Sequence, residues 1–229
     1  MGIPRKRKRM NPRKDAAMDK TTHFTVTISR QLGAGGVYIG QRLAKKLDVV
    51  YADREIIREA ARKLSVLEDA VESREEKIDS FWKALLRPYA AGMADAYVPP
   101  KERVPTTREL FEAEAQIIKR IAGESSSVII GRCGSYILRD HPMVISIFLH
   151  ADVAFRKKRI AEFYAISESA AEKTIARSDK ERALYHRTFT GVDWADATRY
   201  DLALDTGKIG FEKSCDIILK YIDTRRFGI

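Results

Sequence analysis

The chain has 229 residues, 45% hydrophobic and 32% charged, with a formal net charge of +10. That length suits one α/β domain carrying an inserted part, and it can bury a substantial core. No apolar run reaches the roughly 18 residues of a membrane helix, and Cys133 and Cys215 form neither a disulfide framework nor a metal-ligand pattern. A membrane-spanning or disulfide-scaffolded class is thereby excluded, and a reduced, cytoplasmic setting is the default reading.

Six of the ten net positive charges fall in residues 1–20, from Arg5, Lys6, Arg7, Lys8, Arg9, Arg13, Lys14 and Lys20 against Asp15 and Asp19. Residues 1–22 are read as a basic disordered tail, without the apolar segment of a secretory signal. A nucleic-acid role would rest on this tail alone and is set aside in favour of a solvated tail. The remaining charge suits an enzyme of polyanionic substrates.

The domain proper is expected over 23–229. Phe24-Thr25-Val26-Thr27-Ile28 alternates β-branched residues and predicts a buried strand. Gly33, Gly35 and Gly36 follow, and then Val37, Ile39, Gly40, Leu43, Ala44 and Leu47 recur at helical spacing. Strand, glycine-rich turn and helix is the plan of a phosphate-cradling loop, in which backbone N–H groups and the helix dipole hold an anion. The full pattern G-x-x-x-x-G-K-[ST] is not met. With Gly35 as its second glycine, Gly36 stands at the lysine position, Val37 at the hydroxyl position and Arg30 at the first glycine. Arg30, across the loop, is a candidate substitute for the missing cation.

A second strand, Val49 to Ala52, ends at Asp53. That residue either caps the next helix or, at a strand's carboxyl end, orients a substrate hydroxyl or Mg²⁺. Arg58, one turn on, is a candidate for an acceptor phosphate or a surface arginine. Residues 65–105 predict amphipathic helices broken near Pro88 and at Pro99-Pro100, an insertion that either covers the site or builds a homodimer contact. Thr106 and Glu109 fit a capping box. They open an apolar stripe over Leu110, Phe111, Ile117, Ile118 and Ile121, closed by Gly123 and read as core.

Ser127 to Ile130 predicts a buried strand running into Gly131-Arg132-Cys133-Gly134. An arginine directly off such a strand is placed in the binding crevice, where its guanidinium grips phosphate. Cys133 is read as a packing residue. Val144 to Leu149 is the next strand, and Asp152 caps a helix with Arg156 and Arg159 on one face. A further helix from about Glu168 carries Arg177, Asp179, Lys180 and Arg182, either a lid that closes on phosphates or a solvated, salt-bridged face. Tyr200 to Leu204 predicts the last strand, Asp205-Thr206-Gly207 a turn, and Phe211 to Ile222 the last helix. Strands alternating with helices predict a parallel sheet covered on both faces.

Taken in order, TISRQLGAGGVYIGQRLA, YADREII, VIIGRCGSYIL, ARSDKERALYH and TGVDWADATRYDLALDT resemble the cytidylate-kinase-like family of P-loop nucleoside monophosphate kinases, from about Phe24 to Ile222. The resemblance implies a three-layer P-loop NTPase fold with about five parallel strands, helices on both faces and a helical lid near 156–190. It implies ATP and Mg²⁺ as cofactors, nucleotide substrates and no membrane partner. Gly33, Ala34, Gly35, Gly36 and Val37 would hold the phosphoryl donor, with Asp205 and Thr206 beside the adenine. Arg132 would hold the acceptor and Arg177 and Arg182 would close on ATP, while Mg²⁺ would need Asp53 or the phosphates themselves. Cys133 replaces the aspartate of the family's Gly-Arg-Asp segment, and many members carry arginine where this chain has Val37. The expected reaction is phosphoryl transfer to CMP or dCMP. The alternatives are another small acceptor, as in shikimate kinase, or a catalytically silent nucleotide-binding protein.

Overall fold

In the computed structural model, residues 23–53 and 107–227 are described, with the side chain of Thr107 excepted. The basic tail, the helix expected after Asp53, Arg58, the 65–105 insertion and Thr106 lie outside these residues. Five parallel strands form the sheet: β1 (Thr25–Arg30), β2 (Val50–Ala52), β3 (Ser127–Ile130), β4 (Val144–His150) and β5 (Leu202–Asp205). Their order is β2-β3-β1-β4-β5.

β1 is central because its alternation suits two covered faces. Val26 and Ile28 point one way, into a core shared with α1 (Gly36–Leu47) and α7 (Phe211–Phe227). Thr25, Thr27 and Ser29 are also buried, as two-fold side-chain alternation requires of a strand inside a layered sheet. Their short hydroxyl side chains suit the other face, where the Thr25 and Ser127 hydroxyls lie 3.1 Å apart. β3 repeats the pattern: Val128 and Ile130 join the α1/α7 core, and Ile129 joins a second core under α2 (Thr107–Glu124).

In α2, Ala113, Ile117, Ile118, Ile121 and Ala122 recur every three to four residues and are buried, so the expected stripe does pack as core. The helix runs past Gly123 to Glu124. Gly123 does not take the left-handed conformation that would close a helix.

The chain leaving β1 travels through α1 to β2 on one side of the sheet order. The chain leaving β3 travels through α3 (Gly134–Ile137) to β4 on the other. The order thus reverses between β1 and β3, and the carboxyl ends of these two neighbours open the crevice in which α/β sheets bind ligands. Above it stand α4 (Val153–Tyr164), capped by Asp152 through the Phe155 N–H at 2.7 Å, and α5 (Glu168–Thr190), capped by Ser167. This helical pair has its own small core of Ile160, Ala171 and Ile175, against which Leu32 of the glycine loop packs. A short α6 (Thr206–Ile209) follows β5, which starts at Leu202.

Ile118→Ala is expected to lower the unfolding free energy by about 2–5 kcal/mol, the usual cost of an emptied core site. Phe163→Ala removes a side chain 74% exposed and should change it by less than about 0.5 kcal/mol. Urea denaturation followed by circular dichroism checks both.

Candidate active site

At the end of β1 the chain stays beside β4 for one more residue, the Gln31 N–H donating to the Leu149 carbonyl at 3.0 Å. It then turns sharply, with φ of 88° at Gly33 and 77° at Gly35, a region that costs other residues about 1–2 kcal/mol. Gly35 is doubly constrained, because a Cβ there would lie 2.5 Å from the Phe211 ring. Between the two glycines Ala34 is buried. The Thr206 hydroxyl reaches the Ala34 carbonyl at 3.0 Å and the His150 carbonyl at 3.1 Å. Thr206 therefore supports the loop from beneath.

α1 begins directly after Gly35 with no side-chain cap and no acidic residue in its first turn. The N–H groups of its first turn and its dipole are left to favour an anion. Val37 stands exposed in that turn. Asp205 caps α6, accepting from the Gly207 and Lys208 N–H groups at 3.1 and 3.2 Å.

The helical pair is tied to this loop by one carboxylate. Asp179 accepts from the Leu32 N–H at 2.9 Å through Oδ1 and from Arg156 Nη1 at 2.5 Å through Oδ2. Arg182 Nη1 lies 3.4 Å from Oδ1. Arg156 is buried and also donates to the carbonyls of Ala151 (2.9 Å) and Leu32 (3.3 Å). It braces the loop, a role that the run of four basic residues at 156–159 does not reveal. Of the two arginines expected in the lid, Arg182 lines the cleft. Arg177 is 76% exposed, its Nε 3.9 Å from Glu181. Five residues on a helix separate two side chains by roughly 140°, and of the two only Arg182 lines this cleft.

On the other side, Gly131, Arg132 and Cys133 take φ of 76°, 50° and 55° in succession. Such backbone outliers collect at functional sites. The turn is held by the Gly131 N–H on the Ile28 carbonyl at 3.0 Å and the Gly134 N–H on the Gly131 carbonyl at 2.9 Å. Arg132 meets Glu114, a carboxylate with no exposure inside the apolar stripe of α2. Arg132 Nε lies 3.3 Å from Glu114 Oε1, an ion pair without the alignment of a hydrogen bond. Glu114 Oε2 accepts from the Tyr185 hydroxyl at 2.7 Å, and the Arg132 guanidinium lies 5.1 Å from the Tyr185 ring centre. Burial, then the hydrogen bond to Glu114, pushes the Tyr185 hydroxyl pKa upward, so it stays protonated as a donor. Glu114 and Tyr185 were not among the residues expected from the sequence.

Arg30, Arg132, Arg182, Tyr185 and Trp194 line a cleft of about 320 Å³ over the ends of β1 and β3. A larger cavity of about 440 Å³ lies toward the start of β4, bordered by Arg139, Arg199 and Arg225. Arg139 there pairs with Asp140 and Arg199 with Asp196. The smaller cleft is the candidate site because it gathers the arginines that stand beside the glycine loop.

Asp53 is half-buried just after β2. Among the described residues no group of three or more His, Cys, Asp or Glu side chains is disposed to hold a metal, and the residue following β3 is Gly131 rather than a carboxylate.

Cys133 is buried, and burial pushes its thiol up to about 12 against the pull of the Arg132 charge. Cys215 is buried as well. At about pH 8, where reactive thiolates are readily alkylated, the folded protein should leave both thiols unlabelled by iodoacetamide, and unfolding should expose both. Mass spectrometry reads this directly, and fast labelling of Cys133 in the folded protein would contradict the assignment.

A model of the cytidylate kinase-like family matches residues 25–208. The chain is 30% identical to a cytidylate kinase of Halobacterium salinarum over 124 residues, covering 50% of this chain and 64% of that protein. It is 33% identical to one of Methanococcus vannielii over 105 residues, covering 44% and 60%. The chain thus spans about six-tenths of the length of these relatives. An uncharacterized protein from Eubacterium ventriosum shares the fold with a TM-score of 0.66 at 24% identity, over 88% of this chain and 99% of that one. The family model spans the glycine loop, the Arg132 turn, the helical pair and Thr206, and the chain belongs to the cytidylate kinase-like family.

Proposed function

We propose that the chain transfers the γ-phosphoryl group of ATP to a nucleoside monophosphate, with CMP or dCMP as the first candidates. The observation that carries this reading is the convergence of Arg30, Arg132 and Arg182 on one cleft beside a glycine loop that opens an uncapped helix. Phosphoryl transfer asks mainly for positioning and for charge neutralisation of the moving group, and this arrangement supplies both. The loop N–H groups of 33–37 hold the donor phosphates. Arg182, brought in with α5, offsets charge on the donor, while Asp179 fixes the approach of α5 to the loop.

Arg132 grips the acceptor phosphate. Glu114 stands against its Nε, and a guanidinium held in this way offers the fork geometry that matches phosphate. Tyr185 and Trp194 give the cleft aromatic walls suited to a flat base. Mg²⁺ arriving with ATP would be held chiefly by phosphate oxygens and water, with Asp53 as the protein candidate and Arg58 as a candidate for a further acceptor contact. Asp205 is the candidate neighbour of the adenine, while Thr206, buried beneath the loop, would act through the loop it supports. With Cys133 in place of an acid, recognition of the base rests on other groups, so the acceptor must be found by experiment.

Turnover of Mg-ATP with CMP, dCMP, UMP, AMP and shikimate, using the full chain, tests this. A pyrimidine monophosphate should be preferred. Arg132→Ala should lower kcat/KM for it by about a hundredfold or more, since a transition-state arginine is worth at least that. Glu114→Gln should lower it by about tenfold, mainly through KM. Preference for shikimate would reassign the acceptor. Absence of turnover with ATP still bound would favour the nucleotide-binding regulator, a reading prompted by Gly36 and Val37 at the lysine and hydroxyl positions.

A further inference from the structure

Gly36 is the first residue of α1, and its backbone does not lie in the left-handed region that demands glycine. The reason for glycine there is spatial. A Cβ at position 36 would lie 2.6 Å from Arg30 Cγ, 3.0 Å from its Cβ and 3.2 Å from its Cδ. Three successive carbons of one arginine fill the volume into which a side chain at 36 would begin. The same arginine continues to Gly131, where a Cβ would overlap its Nη1. Its guanidinium therefore rests against the turn that carries Arg132, and Arg30 borders the cleft. Two glycines six and 101 residues away in sequence are kept clear for one side chain.

We propose that Arg30 has exchanged places with the loop lysine: the cation that the motif sends from position 36 comes here from position 30, and Gly36 and Gly131 are the spaces it requires. This deepens the kinase reading and rests on it. The exchange is not neutral in chemistry. A loop lysine serves the donor phosphates as a compact point charge. Arg30 spans from the donor loop to the acceptor arginine and presents a planar fork of fixed charge. Its guanidinium thus stands where the transferred group passes between them. In that transfer an oxygen of the acceptor phosphate forms a bond to the γ-phosphorus as the bond to the β,γ-bridging oxygen breaks. The electron pair leaves with ADP, and the dianionic acceptor gains a phosphoryl group without net proton movement. Arg30 neutralises the equatorial oxygens and exchanges no proton.

An exchange predicts that positions 30 and 36 are coupled in ATP affinity, whereas a structural arginine predicts coupling in stability alone. Four proteins decide it: wild type, Arg30→Gln, Gly36→Lys, and Arg30→Ala combined with Gly36→Lys. Each is measured for ATP affinity by titration calorimetry, for thermal unfolding, and for turnover with the best acceptor. Arg30→Gln keeps most of the stem, so it should fold normally. It should bind ATP about tenfold or more weakly, the loss expected for a charge-assisted phosphate contact. Gly36→Lys alone should be destabilised and bind poorly, because two side chains claim one space. The double variant should unfold at a higher temperature than Gly36→Lys and recover ATP affinity to within about tenfold of wild type. A double variant no better than Gly36→Lys, or an Arg30→Gln protein that binds and turns over ATP like wild type, would overturn the exchange and leave the kinase reading standing. Failure of the wild type to bind ATP would remove both.

Discussion

The cleft depends on a single constraint, the burial of β1 on both faces. A strand flanked by β3 and β4 and covered by helices above and below cannot shift its register without exposing Val26 and Ile28 or burying different groups. That fixed register delivers the glycine loop and the Gly131 turn side by side at the reversal of strand order. The glycine loop and Arg132 are neighbours because their strands are neighbours.

Around this frame, charges are arranged so that each buried ion has a task. Arg156 and Asp179 lock the helical pair to the loop through one amide, that of Leu32. Glu114 and Tyr185 hold Arg132 from behind. Both pairs are largely buried, so removing one partner would strand the other without solvent. Loop geometry and arginine placement are therefore products of the same packed interior, and a change to either should be felt at the other.

Much of the frame was legible in the sequence because it is written in local periodicity. The strands show as β-branched or apolar runs at 24–28, 127–130, 144–149 and 200–204, the glycine loop as a cluster after a strand, and Arg132 as a charge placed just off a buried strand. What could not be read depends on contacts distant in sequence. Glu114 has the local look of a surface acid, and its partners are 18 and 71 residues away. Arg156 cannot be told from Lys157 and Lys158 until Ala151, Leu32 and Asp179 are placed around it. The wide separation of Arg177 from Arg182 was available from helix geometry alone, and only the i, i+3 relation of Asp179 to Arg182 puts those two on one face. The glycine at position 36 looked like a missing lysine, and its cause became visible only with the path of Arg30 in space.

The most direct test of the account is to follow backbone amide NMR resonances as Mg-ATP is added to the full chain. If the loop is the phosphate cradle, the amides of Gly33, Gly35, Gly36 and Val37 shift strongly and saturably, and those around Arg139 and Arg225 at the larger cavity do not. Binding of ATP with the 33–37 amides unmoved would contradict the placement of the site and, with it, the mechanism built on the loop.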